Sequence, residues 1–396
     1  MADSTGLSIE MRRGWKWRLR ASGLLDSWFD QYEQHLKSSP VKSNPVRSVF
    51  KVNDQYFVKL DQPRNLLHKL RAYLCCKSQS EFNTAIQLEN AGVPVVKYLG
   101  WGRSGCLSMT FSEAVPDAVT AWEFWVREYI LGGKDHTAFL DKLAIFLKMF
   151  IYSGFFHPDF HLGNVLYSPK TGQFALVDVY GVSRPECLTV SQMERMYKII
   201  MAFRDIISDA EAEKLALFMG IRNTPEDAVL YFHSALKAEA VFLNGEWPRR
   251  RKQILEGYRK FVTSSSVDGR EYLLRHSLCA EPLIPPAELS QSLNSGRLEK
   301  VILSADEALT VWLKSFRLQF YGIPHRQPLI LEKNGSRSAL YFNKIEGKIP
   351  GSGIPEVAEF LKRCACFSIS PGHENLLQTA TGRILINNPA LIDLEV

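Results

Sequence analysis

Residues 155–181 read FFHPDFHLGNVLYSPKTGQFALVDVYG. The stretch divides into a loop, a strand, a polar turn around Pro169–Gly172 and a second, apolar strand, ALVDV. Asp159 and Asn164 stand five apart in the loop, and Asp178 follows on the second strand. Carboxylate and amide oxygens are the donors that a hard divalent cation prefers. Flanking strands would fix where those oxygens point. Gly163 and Gly181 leave the backbone free to turn closely beside them.

The string HPDFHLGN followed by DVYG resembles the catalytic loop and metal turn of the kinase-like superfamily. Within that superfamily the chain is most similar to the bacterial lipopolysaccharide core kinases, the Kdo and heptose kinase group, over residues 46–260. The resemblance implies an α+β, bilobal protein-kinase-like fold. It has a small β-rich N-lobe, a helical C-lobe and here an additional C-terminal α/β segment. It implies Asp159 as the catalytic base at the acceptor hydroxyl, with Asn164 and Asp178 as magnesium ligands. His157 becomes a brace of the loop, and His161 a residue near phosphate or acceptor. Zinc at His157 and His161 fits the spacing but suits the neighbouring oxygen donors poorly. Tyr180 takes the place of the more familiar phenylalanine in the metal turn.

Working outward, VRSVFKVNDQYFVKL (46–60) alternates apolar and polar residues around Asn53-Asp54, which predicts strand, tight turn, strand. The resemblance makes Lys59 the lysine that contacts the α- and β-phosphates of ATP. A helical pattern over LHKLRAYLCCKSQSEFNTAIQLENAG stops at Gly92. Its Glu81 resembles the glutamate that pairs with that lysine, and Glu89 is the rival. No glycine lies in residues 40–48, so a phosphate-covering turn would have to use Ser43, Asn44 or Ser48. GVPVVKYLGWG reads as a turn, a short strand and a turn. CLSMTFSEAV then reads as the strand leading to an adenine hinge, with backbone groups at Phe111–Glu113, and Glu113 is counted among the nucleotide-binding positions. Two helical patterns follow, joined at Gly132-Gly133, and the second (AFLDKLAIFLKMFIYSGF) is apolar nearly all round and expected to be buried.

Within the first forty residues, residues 11–20 read MRRGWKWRLR, where Trp15 and Trp17 alternate with cations. That composition suits an anionic membrane interface, and equally a docked strand with its arginines in solvent. No nucleic-acid motif accompanies it. Residues 189–262 form four helical patterns, with a basic cluster at Arg249–Lys252 read as a solvated helix start, and alternatively as a contact for an anionic glycolipid or membrane. Residues 266–296 are rich in Ser, Pro and Leu and read as a linker, and KVILSADEALTVWLKSF returns to strands. VWLKSF echoes YFVKL, and ALIDLEV echoes ALVDVYG, but no second HxD-like loop accompanies them; SPGHENLL is the nearest string. The echo reads as shared strand composition, with a degenerate kinase-like copy as the alternative. The expected organisation is a basic leader 1–40, an N-lobe 41–114, a C-lobe 115–265, a linker 266–296 and a mixed α/β region 297–396.

At 396 residues the chain can bury a large core, and its net charge of +6 allows an anionic partner. The sequence has no run of about 18 apolar residues and no apolar h-region behind its N-terminal charges, so neither a transmembrane helix nor secretion is expected. The seven cysteines form no paired framework, so a reduced cytoplasmic protein is expected, in peripheral contact with the inner face of a bacterial inner membrane. The resemblance implies a phosphotransferase using ATP and Mg2+ on a sugar hydroxyl of the lipopolysaccharide inner core, with a glycolipid or sugar acceptor as partner. A small-molecule kinase of the aminoglycoside or choline type keeps the loop and changes the acceptor. The missing glycine-rich loop favours a third reading, an inactive pseudokinase scaffold.

Overall fold

The computed structural model describes residues 7–23, 26, 28, 34, 39–52, 54–131, 134–204, 206–258, 261–276, 284–351, 353–380 and 382–396. The expected joint at Gly132-Gly133 lies outside them. The chain is mixed α/β, with a β-rich N-terminal region, and divides into two compact units. Unit 1 holds residues 1–124, 136–199 and 218–221; unit 2 holds 125–135, 200–217 and 222–396.

In unit 1 the alternating stretch 46–60 forms the expected hairpin, β4 (Arg47–Val52) and β5 (Tyr56–Asp61), with Asp54 at φ 55° in the turn. A short β3 (Lys42–Asn44) edges it. Phe50, Val52, Val58 and Leu60 alternate into the core. β5 pairs with β7 (Leu107–Glu113), which pairs with β6 (Tyr98–Ser104). The N-terminal hairpin, β1 (Ser8–Arg12) and β2 (Trp15–Leu19), completes an antiparallel sheet ordered β1-β2-β6-β7-β5-β4-β3. The leader is therefore partly sheet, and Trp15 and Trp17 are core residues packed with Leu19, Trp28, Met109 and Phe111. Strand alternation sends the indoles inward and Lys16 outward, so the rings belong to the core and not to a membrane interface. Gly100 and Gly102, expected in a turn, lie within β6. A Cβ on Gly102 would stand 2.2 Å from the Trp17 ring, so glycine is what lets that indole lie flat on the strand.

The helical stretch after β5 splits at Cys75-Cys76 into α1 (Leu66–Leu74) and α2 (Lys77–Asn90). Glu81, Phe82, Ala85 and Leu88 of α2 are buried, whereas α1 buries no residue. A short α3 (Ala121–Trp125) precedes α4 (Thr137–Tyr152). Eight residues of α4 are buried, but Ile145, Met149 and Tyr152 form an exposed stripe, so this helix is not covered all round as expected. β8 (Val119–Thr120), β9 (Val165–Ser168) and β10 (Gln173–Leu176) make a small sheet ordered β10-β9-β8. Near the end of this unit lies α5 (Val190–Tyr197), closed by a Thr189–Gln192 capping box.

Unit 2 contains α6 (Asp209–Phe218) up to Leu217, and α7 (Pro225–Leu255). The latter runs straight through the basic cluster, which is helix interior and not a helix start. Trp247 and Ile254 pack into one cluster from the same helix, and that packing outweighs the hydrogen bond lost at Pro248. The expected linker holds a hairpin, β11 (Val262–Val267) and β12 (Arg270–Arg275), and a short α8 (Leu289–Asn294). Its Ser-rich composition is that of an edge strand turning at Asp268-Gly269. β13 (Leu298–Ser304) is followed by α9 (Ala305–Tyr321), where strand continuation was expected. The Ser304–Glu307 capping box starts the helix. β14 (Pro328–Asn334), β15 (Arg337–Asn343), β16 (Gly347–Lys348), α10 (Pro355–Cys366), β17 (Leu376–Thr379) and β18 (Ile384–Ile386) complete the unit. Its sheets are ordered β11-β12-β14-β15-β13 and β16-β17-β18. No helix among the described residues is long and apolar enough to cross a membrane.

Candidate active site

Lys59 points from β5 toward α2. Its Nζ donates to Glu81 Oε1 at 2.5 Å and to Asp178 Oδ1 at 3.3 Å. Glu81 has no exposed side-chain surface, and an isolated carboxylate there would be heavily penalised. Three donors satisfy it: Lys59, the Tyr98 hydroxyl at 2.7 Å and Arg47 Nη2 at 3.3 Å. Glu89, the rival partner, instead pairs with Arg20 at 2.5 Å.

Arg47 is the residue that sequence reasoning passed over. It opens β4 directly opposite Asp61 of β5 and two register steps from the row of Lys59. Its guanidinium takes Asp61 in a fork, at 2.8 and 3.2 Å, and reaches Asp178 Oδ1 at 3.1 Å. Burial works against its charge, yet Asp61, Glu81 and Asp178 together hold its pKa above the usual guanidinium value. The cross-strand Arg47–Asp61 pair was the available signal, since strand register alone sets the two side by side. The three residues expected to cover phosphate are turned to the hairpin itself. Ser43 and Ser48 hydroxyls lie 3.1 Å apart, and Asn44 Oδ1 accepts from the N–H groups of Val46 and Arg47.

The loop of residues 155–181 carries the remaining groups. Phe156 and Ser183 exchange backbone hydrogen bonds across its mouth. His157 is buried, and its Nδ1 accepts from Asp159 N–H at 3.1 Å, the bracing role expected of it. Burial is the main influence on this imidazole and lowers its pKa to about 4, so it is neutral. Asn164 Nδ2 donates to the Asp159 carbonyl at 3.0 Å, tying the two ends of the five-residue interval together. The Asp159 carboxylate is 78% exposed and has His161 Nε2 at 3.5 Å. It is thus open to an incoming group. Asp178 follows β10 in the left-handed region, at φ 55°. Aspartate tolerates that region better than most residues, and it turns the carboxylate off the strand. Burial pushes its pKa up, but Lys59 and Arg47 outweigh burial and hold it down at about 2. Tyr180 lies under Lys77 Nζ, 4.4 Å from the ring centre.

Lys59, Glu81 and Asp178 are therefore joined in one ionic cluster, and Asp159 and Asn164 share one loop. Glu113 stands apart at the end of β7. Its carboxylate pairs with Lys97 at 2.9 Å, and its N–H donates to the Lys97 carbonyl at 2.8 Å. No three His, Cys, Asp or Glu side chains converge as a metal cage among the described residues. Asn164 and Asp178 offer two oxygen donors, which suits magnesium, an ion that completes its shell with substrate oxygens and water.

No family model matches the sequence, and no curated protein matches it. Among solved structures the chain is similar to Rad53 1–466 in complex with AMP-PNP, at 12% identity over 48% of this chain and 59% of that one, with a TM-score of 0.33. It is also similar to the kinase PK-1 of Cydia pomonella granulovirus, at 15% identity over 53% of this chain and 84% of that one, with a TM-score of 0.32. Both are protein kinases, and the chain spans about three fifths of the first.

Proposed function

We propose that this chain is a phosphotransferase of the kinase-like superfamily, using ATP and magnesium to phosphorylate a sugar hydroxyl of a lipopolysaccharide inner core at a membrane surface. The observation that carries the reading is the buried Glu81 carboxylate holding Lys59 2.5 Å away, with Lys59 also on Asp178. A lysine braced in this way is pre-positioned for polyphosphate and need not be ordered on binding. Asn164 and Asp178 would hold magnesium, which neutralises the triphosphate when bound. Asp159, exposed beside them, accepts or orients the proton of the acceptor hydroxyl. Arg47 supplies fixed donors where the chain lacks a glycine-rich loop.

The acceptor class rests on the resemblance around Asp159, and a surface feature favours a lipid-borne acceptor over a soluble one. Leu66, Leu67 and Leu74 of α1 are 82, 79 and 74% exposed, and Lys69 and Arg71 lie on the same helix. An exposed apolar helix with cations suits an anionic membrane.

The test is phosphate transfer from γ-labelled ATP into a bacterial membrane extract, with the Asp159→Asn variant alongside. Label is expected in the glycolipid fraction with the parent only, while the variant keeps ATP affinity and loses turnover by about a hundredfold or more. Transfer by the variant at the parent rate would overturn the role of Asp159. Label confined to soluble molecules would replace the acceptor class.

A further inference from the structure

The described backbone of residues 262–396 follows that of unit 1 step by step. α2 is followed by Gly92 at φ 75° and α9 by Gly322 at φ 73°, and the next residue donates back to the helix at 3.0 Å in both, Val93 to Leu88 and Ile323 to Leu318. Pro94 and Pro324 come next. β6 and β14 each carry a register shift at their second residue, Tyr98/Gly100 and Pro328/Ile330. Both turn at a left-handed glycine, Gly105 and Gly335, into β7 and β15. In front of each sheet an added hairpin docks in the same register, Leu19 opposite Gly100 and Leu274 opposite Ile330. The strand orders β1-β2-β6-β7-β5 and β11-β12-β14-β15-β13 correspond one to one.

The agreement continues past the sheets. Leu162–Asn164 and His373–Asn375 are single 3-10 turns that lead into β9 and β17. The small sheets β10-β9-β8 and β18-β17-β16 match. Parallel bridges join Val95 to Leu176 and His325 to Ile386. Val177 donates to the Asn164 carbonyl at 3.0 Å, and Asn387 to the Asn375 carbonyl at 2.8 Å. A one-residue slip would reverse the faces of a strand, so shared register across this many elements is not a product of strand composition.

We propose that residues 262–396 are a second copy of the kinase-like unit, whose cleft has lost the counterparts of Lys59, Glu81, Asp159 and Asp178 and takes no magnesium nucleotide. Register gives the counterparts. Lys59 stands opposite Thr110, and Val301 stands opposite Leu340. Glu81 lies eleven residues before Gly92, and Val311 eleven before Gly322. Asp178 is two residues beyond Leu176, and Asn388 two beyond Ile386. The loop to Asn375 is shorter, seven residues from left-handed Ser368 against ten from Gly154 to Asn164, and contains no aspartate. Asn375 and Asn388 close on each other: Asn388 N–H donates to Asn375 Oδ1 at 2.7 Å, and Asn375 Nδ2 to the Asn388 carbonyl at 3.0 Å. Val301, Leu303, Val311, Leu340 and Phe342 line the cleft beside Asn388, a cavity of about 220 Å³ that Glu299 and Arg326 also border as a mutual ion pair. A triphosphate would find no counterpart of Lys59 there; the one cation in the lining, Arg326, is paired with Glu299, and desolvating the phosphates against the apolar side chains is unfavourable. The strings VWLKSF and ALIDLEV are not the counterparts of the lysine strand and the metal turn. The first lies inside α9, and the second begins beyond Asn388.

Two measurements on the full chain test the copy. Val311→Glu buries a carboxylate in a cavity whose one cation, Arg326, is already paired with Glu299, and should lower the melting temperature. Adding Val301→Lys should restore part of the loss, because the two positions face one cavity and correspond to the paired Lys59 and Glu81. A double variant no more stable than the sum of its singles would overturn the correspondence. Should Val311→Glu fail to fold, calorimetric titration with a magnesium–ATP analogue decides on the cleft. One site per chain is expected in the parent and none in Asp178→Asn. Magnesium-dependent binding that survives in Asp178→Asn would lie outside the first site and overturn the inference. Absence of binding in both chains would sink the proposed function of unit 1 while agreeing with an inert second cleft.

Discussion

Arg47 and His157 show two ways in which burial sets chemistry. Arg47 is held by Asp61, Glu81 and Asp178 at once, so it contributes directed charge without a flexible loop. If it does the work of the missing glycines, Arg47→Met should raise the KM for ATP by about tenfold or more, with a smaller fall in kcat. Steady-state kinetics at varied ATP would check this, and an unchanged KM would remove Arg47 from nucleotide binding. His157 carries the opposite case. Its folded pKa of about 4 lies below the unfolded 6.5. The unfolded chain therefore takes up a proton that the folded one refuses. This contribution to stability is complete above pH 6.5 and declines as pH falls toward 4, by a total on the order of 3 kcal/mol. Buried His325, lowered to about 3, adds a decline of the same sign. Urea unfolding at pH 7 and pH 5 should show the parent losing more stability than His157→Asn; equal losses would mean that His157 does not titrate in this way.

At the scale of elements, what was legible in the sequence was what local physics decides. The hairpin around Asp54, the helix ending before Gly92 and the loop–strand–turn–strand of 155–181 all follow from alternation and turn chemistry. What was not legible depended on partners far along the chain. Nothing in MRRGWKWRLR says that its indoles lie over Gly102 and Phe111. Nor does LLHKLRAYL reveal that none of its leucines finds a core. The structure moves the membrane-facing candidate from the N-terminal tryptophans to α1. Vesicles of phosphatidylglycerol should retain the parent chain, and vesicles of phosphatidylcholine should retain it less. Leu67→Ser with Leu70→Ser should weaken retention by about tenfold or more, because each leucine transferred from water contributes roughly 1.5–3 kcal/mol at full burial. Both side chains are exposed, so thermal stability should not change. Undiminished retention of that variant would exclude α1 as the contact.

At the scale of the whole molecule, one chain carries two sheets of the same order with opposite chemistry in the corresponding cleft. The sequence hinted at this but in the wrong places, because matching strings compares composition whereas structural equivalence is a matter of register. Lys59 has become Val301 and Glu81 has become Val311, changes that erase the motif while keeping apolar side chains able to fill the space. A ligand that binds only the folded form protects the elements that hold it. Hydrogen exchange with saturating magnesium–ATP analogue should therefore slow across residues 47–61, 77–90 and 159–178, where Arg47, Lys59, Glu81, Asn164 and Asp178 lie. The corresponding residues 298–304, 305–321 and 375–388 should exchange as they do without nucleotide. Because both sets belong to one chain in one tube, the second is an internal control for global stability. Slowing confined to 298–321 and 375–388 would locate the nucleotide in the wrong copy and overturn both the assignment of Lys59 and the loss of function read in Val301.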